Sequence, residues 1–191
     1  MIIQKHKLFT EIIGCKALGE LYSEKEKLDG ISVLLLHGDD MEEAPDDAVT
    51  SWLSAVDFIT VFAAENISRF SYEFLSKFDV RLGGAEYPAS SARADDRYRL
   101  LCGDMAYEVL SSGTSDTAPN FVTVLSGEES FDAKALAYVN RVCGDKTEAQ
   151  MKILTRCLKA AANDSIKAVL TAESEGFYAL MAQKTEDAAD E

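Results

Sequence analysis

The sequence is short of positive charge, of histidine and of paired cysteines. Lysine and arginine total 19 against 33 acids, a formal net charge of −14. That balance argues against nucleic acid, whose phosphates reward basic surfaces, and against anionic membranes. Its plainest effect is solubility through self-repulsion. Cys15, Cys102, Cys143 and Cys157 are scattered, and none forms a CxxC pair. Zinc and thioredoxin-like sites are therefore unsupported, and buried free thiols in a reducing compartment are expected. No apolar run approaches the roughly 18 residues of a membrane span. The opening MIIQKHKLF lacks the apolar core and small-residue cleavage site of a signal peptide. The expectation is a cytoplasmic protein with no metal, no membrane and no nucleic acid among its partners. There is no GxSxG elbow, HExxH, Walker loop or GxGxxG, and no internal repeat or low-complexity linker.

What is present reads as one domain, residues 1–183, followed by a polar tail, 184–191. Leu8, Ile12, Cys15, Leu18 and Leu21 recur at three- and four-residue steps and predict a helix over 7–28. ISVLLLHG is a nearly continuous apolar run ending in Gly38, the pattern of a strand covered on both faces. Pro45, Asp46 and Asp47 predict a helix start for DDAVTSWLSAV. VDFITVFAAE reads as a second buried strand, NISRFSYEFLSKF as an amphipathic helix capped by Asn66 or Ser68, and DVRLGG as a third strand. A helix near 96–112 follows, then a short strand in NFVTVLS. SFDAKALAYVNRV reads as a short helix opened by Ser130 or Asp132, leading into another strand. TEAQMKILTRCLKAAAN is an amphipathic helix with a capping Thr, and a last helix opens at Asp164 or Ser165. Strands alternating with helices, then closing helices, give an α/β class with a mainly parallel sheet.

Few residues offer chemistry. His37 ends the first buried strand, where parallel sheets border their ligand crevices, and is a possible acid/base group. The acidic pairs Asp39-Asp40, Glu42-Glu43, Asp46-Asp47 and Asp95-Asp96 read first as solvated loop charge. Glu73 stands between Tyr72 and Phe74, a setting that favours a carboxyl useful in proton transfer if it faces the apolar side.

The order of these pieces resembles the crotonase superfamily, the enoyl-CoA hydratase/isomerase fold. ISVLLLHG is similar to that family's buried "VVVLTG" strand. Phe78-Asp79-Val80-Arg81-Leu82 is similar to its "CD" helix ending and "IRIA" strand, and MAYEVLSSG and FDAKALAYVNRV resemble its later helices. The resemblance implies a crotonase-like parallel sheet flanked by helices, with a C-terminal helical region that packs between subunits. It implies an acyl-CoA or carrier-bound thioester as substrate, no other cofactor, and two backbone N–H groups holding the enolate oxygen. Carried over, those donors fall at Asp40 and Phe70, and the hydratase glutamates at Glu73 and in the bridge at Asp95 or Asp96. Phe70 stands where the family uses glycine. YPASSARADDRYR replaces the family's longer glycine-rich loop, and the family's N-terminal β-hairpin region is expected to be missing. The resulting expectation is a divergent accessory subunit with an eroded active site in acyl-thioester or polyketide-type biosynthesis. It would form a homo-oligomer (trimer or hexamer) or a hetero-complex with a related subunit. The alternative is an active hydratase/isomerase or decarboxylase-type lyase.

Overall fold

The computed structural model describes residues 1–44, 47–85, 122–144 and 146–163, together with 175 and 178. At its centre is a six-stranded sheet whose spatial order equals its chain order. The strands are β1 (Ile2–Lys5), β2 (Phe9–Ile13), β3 (Val33–His37), β4 (Ile59–Ala64), β5 (Val80–Gly83) and β6 (Thr123–Val124). The β1–β2 pair is antiparallel and every other pair is parallel. The helices are α1 (Leu18–Ser23), α2 (Asp47–Ala55), α3 (Tyr72–Leu75), α4 (Phe131–Cys143) and α5 (Glu148–Asn163).

Parallel strands added one after another in a single direction, each by a right-handed crossover, must carry all their crossovers on one face. The packing agrees. Leu18 and Leu21 of α1, Val49 and Leu53 of α2, and Phe74 and Leu75 of α3 share one core with Leu34, Leu36, Phe62 and Ala64 of the sheet. The opposite face, with Val33, Leu35, Val61, Ala63 and Leu82, is covered by Phe131, Ala135 and Val139 of α4 and Met151 of α5. β3 and β4 are therefore buried at every position, as their continuous apolar runs predict.

Three expectations are corrected. The helix over 7–28 is instead a strand, a six-residue helix and a 3-10 turn at Lys25–Leu28. Leu8 and Ile12 fit a four-residue step, but FTEII is rich in β-branched residues and finds a partner on each side. Gly14, at φ 67°, then turns the chain out of the strand. The same correction gives the chain a hairpin at its start: β1 and β2 pair antiparallel, closed by the His6 N–H on the Phe9 carbonyl at 2.8 Å. The amphipathic helix of NISRFSYEFLSKF breaks into a 3-10 turn at Ile67–Arg69 and the single turn α3. Its cap is Ser71, whose Oγ accepts from the Phe74 N–H at 3.1 Å, rather than Asn66 or Ser68. FDAKALAYVNRV does not lead into a strand, because α4 runs unbroken to Cys143. Ser130 caps it, accepting from the Ala133 N–H. Thr147 and Gln150 form the reciprocal capping box of α5. The expected helix near 96–112, the start of the last helix and the polar tail lie outside the described residues.

Candidate functional site

A cluster of polar side chains forms where Glu11 of β2 and His37, at the carboxyl end of β3, meet the first turn of α4. Side chains alternate along a strand, so Val33, Leu35 and His37 all face α4. Glu11 of β2 faces the same way. His37 sits between two carboxylates: its Nε2 is 2.9 Å from Glu11 Oε1, and its Nδ1 is 2.7 Å from Asp132 Oδ1. Glu11 Oε2 continues the chain to His6 Nε2 at 3.3 Å, and the His6 ring stacks on Phe9. Glu11 and His37 are almost fully enclosed, whereas the Asp132 side chain is 63% exposed. Carboxylates only accept, so the two bonds at His37 need two ring protons, or one ring proton and one carboxyl proton. The arrangement is a hydrogen-bonded chain running from solvent at Asp132 through the enclosed His37 and Glu11 to His6.

Directly beyond His37, the loop after β3 is locked in place. Gly38 leaves no room for a side chain: a Cβ there would lie 2.2 Å from the Phe62 ring. The Arg69 Nη2 donates to the carbonyls of Gly38, Asp39 and Met41 at 2.6, 2.7 and 2.9 Å. Glu43 accepts from both the amide and the hydroxyl of Ser71. The loop after β3 is thereby tied to the turn after β4. Asp39 Oδ1 also accepts the Glu65 N–H at 2.9 Å. Partial burial pushes the Asp39 carboxyl above its usual range. The Asp132 and Glu65 charges act in the same direction, against the Glu65 amide and Arg69.

The residues named from the sequence fall at separate places. His37 lies in the cluster. Asp40 is exposed on the loop after β3, and Glu73 is exposed on α3 beyond the aromatic core. Phe70 is buried, its ring edge-on to Phe62 at 4.9 Å and stacked on Phe74 at 5.2 Å. Its N–H donates to the Ile67 carbonyl at 3.2 Å, so the donor assigned to an enolate oxygen is already engaged. The geometry thus brings neither Glu73 nor Phe70 to His37. Asp95 and Asp96 lie outside the described residues.

Glu11, Asp132 and Arg69 are the members of this region that the sequence reading misses. Glu11 is hidden by the helix assignment, and Asp132 reads as a helix-opening acid. The alternation FTEII held the signal for Glu11, since reading it as a strand aligns Glu11 with Phe9. Nothing local marks Arg69. No three His, Cys, Asp or Glu residues among those described are arranged to hold a metal ion. No described helix is long and apolar enough to cross a membrane. No protein-family model, curated protein or solved structure matches this chain.

Proposed function

We propose that this chain is a crotonase-like protein whose thioester site is closed, acting as a non-catalytic accessory subunit in acyl-thioester metabolism. One observation carries the reading. Enolate stabilisation needs two N–H groups preorganised around an open position for the oxygen. At Phe70 the donor the resemblance assigns is already used, and the backbone on either side of Asp40, the other assigned donor, is bolted in place. The Phe70 N–H is given to Ile67, the Gly38 N–H to Ala63 and the Met41 N–H to Gly38, and Arg69 and Glu43 clamp the loops. Support for the fold part comes from the strand order, the single-sided crossovers, the N-terminal hairpin and the helical layer on the far face. With crotonyl-CoA, loss of the enoyl-thioester absorbance should not exceed the buffer rate. Light scattering should give a defined homo-oligomer, or a stable complex with a related subunit. A strict monomer that turns over crotonyl-CoA above the buffer rate would overturn the reading.

A second reading is an active lyase or isomerase on a CoA- or carrier-bound acyl thioester. The Glu11–His37–Asp132 chain favours it, because it lies at the strand ends where parallel sheets bind ligands. In that case turnover in the same assay is lost in His37→Asn and survives in Glu73→Gln.

A further inference from the structure

The first turn of α4 is fastened to the sheet by a side-chain bond that spans the layers. Asp132 Oδ1 lies 2.7 Å from His37 Nδ1, and Glu11 Oε1 lies 2.9 Å from Nε2 on the other side of the ring. The two carboxylates differ in what decides which bond yields first. Glu11 sits on β2, paired on both sides by β1 and β3, and its side chain is 6% exposed. Asp132 is the second residue of a helix, and its side chain is 63% exposed. Without a proton from His37, Glu11 is a buried carboxylate short of a donor, which is costly. Asp132 in the same position turns to water. The rest of the turn is held locally. Ser130 Oγ accepts the Ala133 N–H at 3.3 Å, and its carbonyl accepts the Lys134 N–H at 3.1 Å. Phe131 belongs to the core that holds Leu35 and Ala63.

Two hydrogen bonds between one imidazole and two carboxylates take two protons, whichever atoms carry them. Removing one proton leaves a single bond to be made and sets two lone pairs against each other at the second place. The difference in exposure assigns the surviving bond to Glu11. The proton leaves at Asp132, the member that water reaches. The charged and titratable groups around the ring come from several elements. They are Glu11 on β2, His6 beyond it in the β1–β2 turn, Asp132 on α4 and Asp39 in the loop after β3. Partial burial holds the Asp39 carboxyl above its usual range, aided by the Asp132 and Glu65 charges and opposed by the Glu65 amide and Arg69. Once ionised, Asp39 repels Asp132, which acts in the same direction as proton loss at His37. We propose that Glu11, His37 and Asp132 form a proton-operated latch on α4. With both protons bound, the first turn is held on the end of β3. As pH rises and one proton is lost, Asp132 lets go, Glu11 keeps its bond, and the sheet face under Phe131 opens. The latch needs neither functional reading, and its test involves no turnover.

The test follows the full chain from about pH 5 to about pH 9 by nitrogen NMR shifts of the His37 ring and by amide hydrogen exchange corrected for intrinsic rate. Protection of amides 133–136 of α4 should fall at least about ten-fold in one step, the weight of a charge-assisted hydrogen bond, while β4 keeps its protection. Above the step the ring proton should sit on Nε2, towards Glu11. Asp132→Asn offers Nδ1 either an oxygen or an N–H, so the step in α4 should vanish. Asp132→Ala should exchange at the released rate at every pH, and it alone decides should Asp132→Asn misfold by circular dichroism. Asp39→Asn should keep the step, which separates the latch from the Asp39 charge. Protection of α4 that is level with pH in the wild type overturns the proposal. So does an unchanged step in either Asp132 variant, loss of the step in Asp39→Asn, or a surviving proton on Nδ1.

Discussion

At the scale of single residues, the polar chemistry concentrates where a side chain leaves a strand end and meets another element. Glu11 is a carboxylate on a sheet face otherwise lined by Phe9, Leu35 and Ala63. It is tolerated because His37 and His6 supply its partners. Asp39 is the opposite case, held above the usual carboxylate range by partial burial and like charge. In the window between the usual carboxylate pKa and that raised value, the folded chain binds more protons at Asp39 than the unfolded chain. Stability therefore falls as pH rises through the window. Asp39→Asn keeps an oxygen for the Glu65 N–H and removes the titration. Urea unfolding from about pH 4 to about pH 7 should show a shallower decline for this variant, and stability at neutral pH at least equal to wild type. A variant that is less stable at neutral pH would show that the Asp39 charge is stabilising after all.

At the scale of elements, α5 is tied to the sheet at the end opposite His37. Asp79, immediately before β5, accepts from the Thr60 amide and hydroxyl, each at 2.8 Å, and from Lys159 Nζ of α5 at 2.7 Å. Its side chain is 5% exposed and that of Lys159 is 16%. Removing the cation leaves a buried carboxylate with Thr60 alone among these donors, so Lys159→Met should cost about 3 kcal/mol in urea unfolding. Adding Asp79→Asn should recover part of that loss, since the uncompensated charge is then gone. If Lys159→Met unfolds like wild type, α5 is held by its apolar stripe alone. The broken helix after β4 belongs to this scale too. Phe70, Phe74 and Phe78 lie at four-residue steps, as a helix would place them, and all three contact Phe62. The chain packs them from a 3-10 turn, one helical turn and a coil, because Arg69 and Ser71 are engaged with the loop after β3.

At the scale of the whole molecule, two apolar cores share one sheet. Leu34 and Leu35 are neighbours on β3, both wholly buried, one in each core. Leu34→Ala and Leu35→Ala should each cost about 2–5 kcal/mol, because each leaves a cavity in a different closed layer. A variant of wild-type stability would mean that its face is not covered in solution. The two-sided covering also accounts for the amphipathic α4 and α5 following the strands. They close the face opposite the crossovers that join β2 to β5.

Much of this architecture is legible from the chain because its cause is local. Continuous apolar runs place β3 and β4, and capping residues place the starts of α4 and α5. The alternation of strands and helices follows from the same one-dimensional pattern. The remainder depends on partners distant in sequence. FTEII becomes a strand because β1 and β3 are there to pair with it. His37 becomes the centre of a hydrogen-bonded chain only when Asp132, 95 residues away, is folded over it. Arg69 closes the loop after β3 from about 30 residues downstream. Periodicity reports which face of an element is apolar. It carries no information about which polar groups converge once those faces are packed, and the candidate site is made of such convergences.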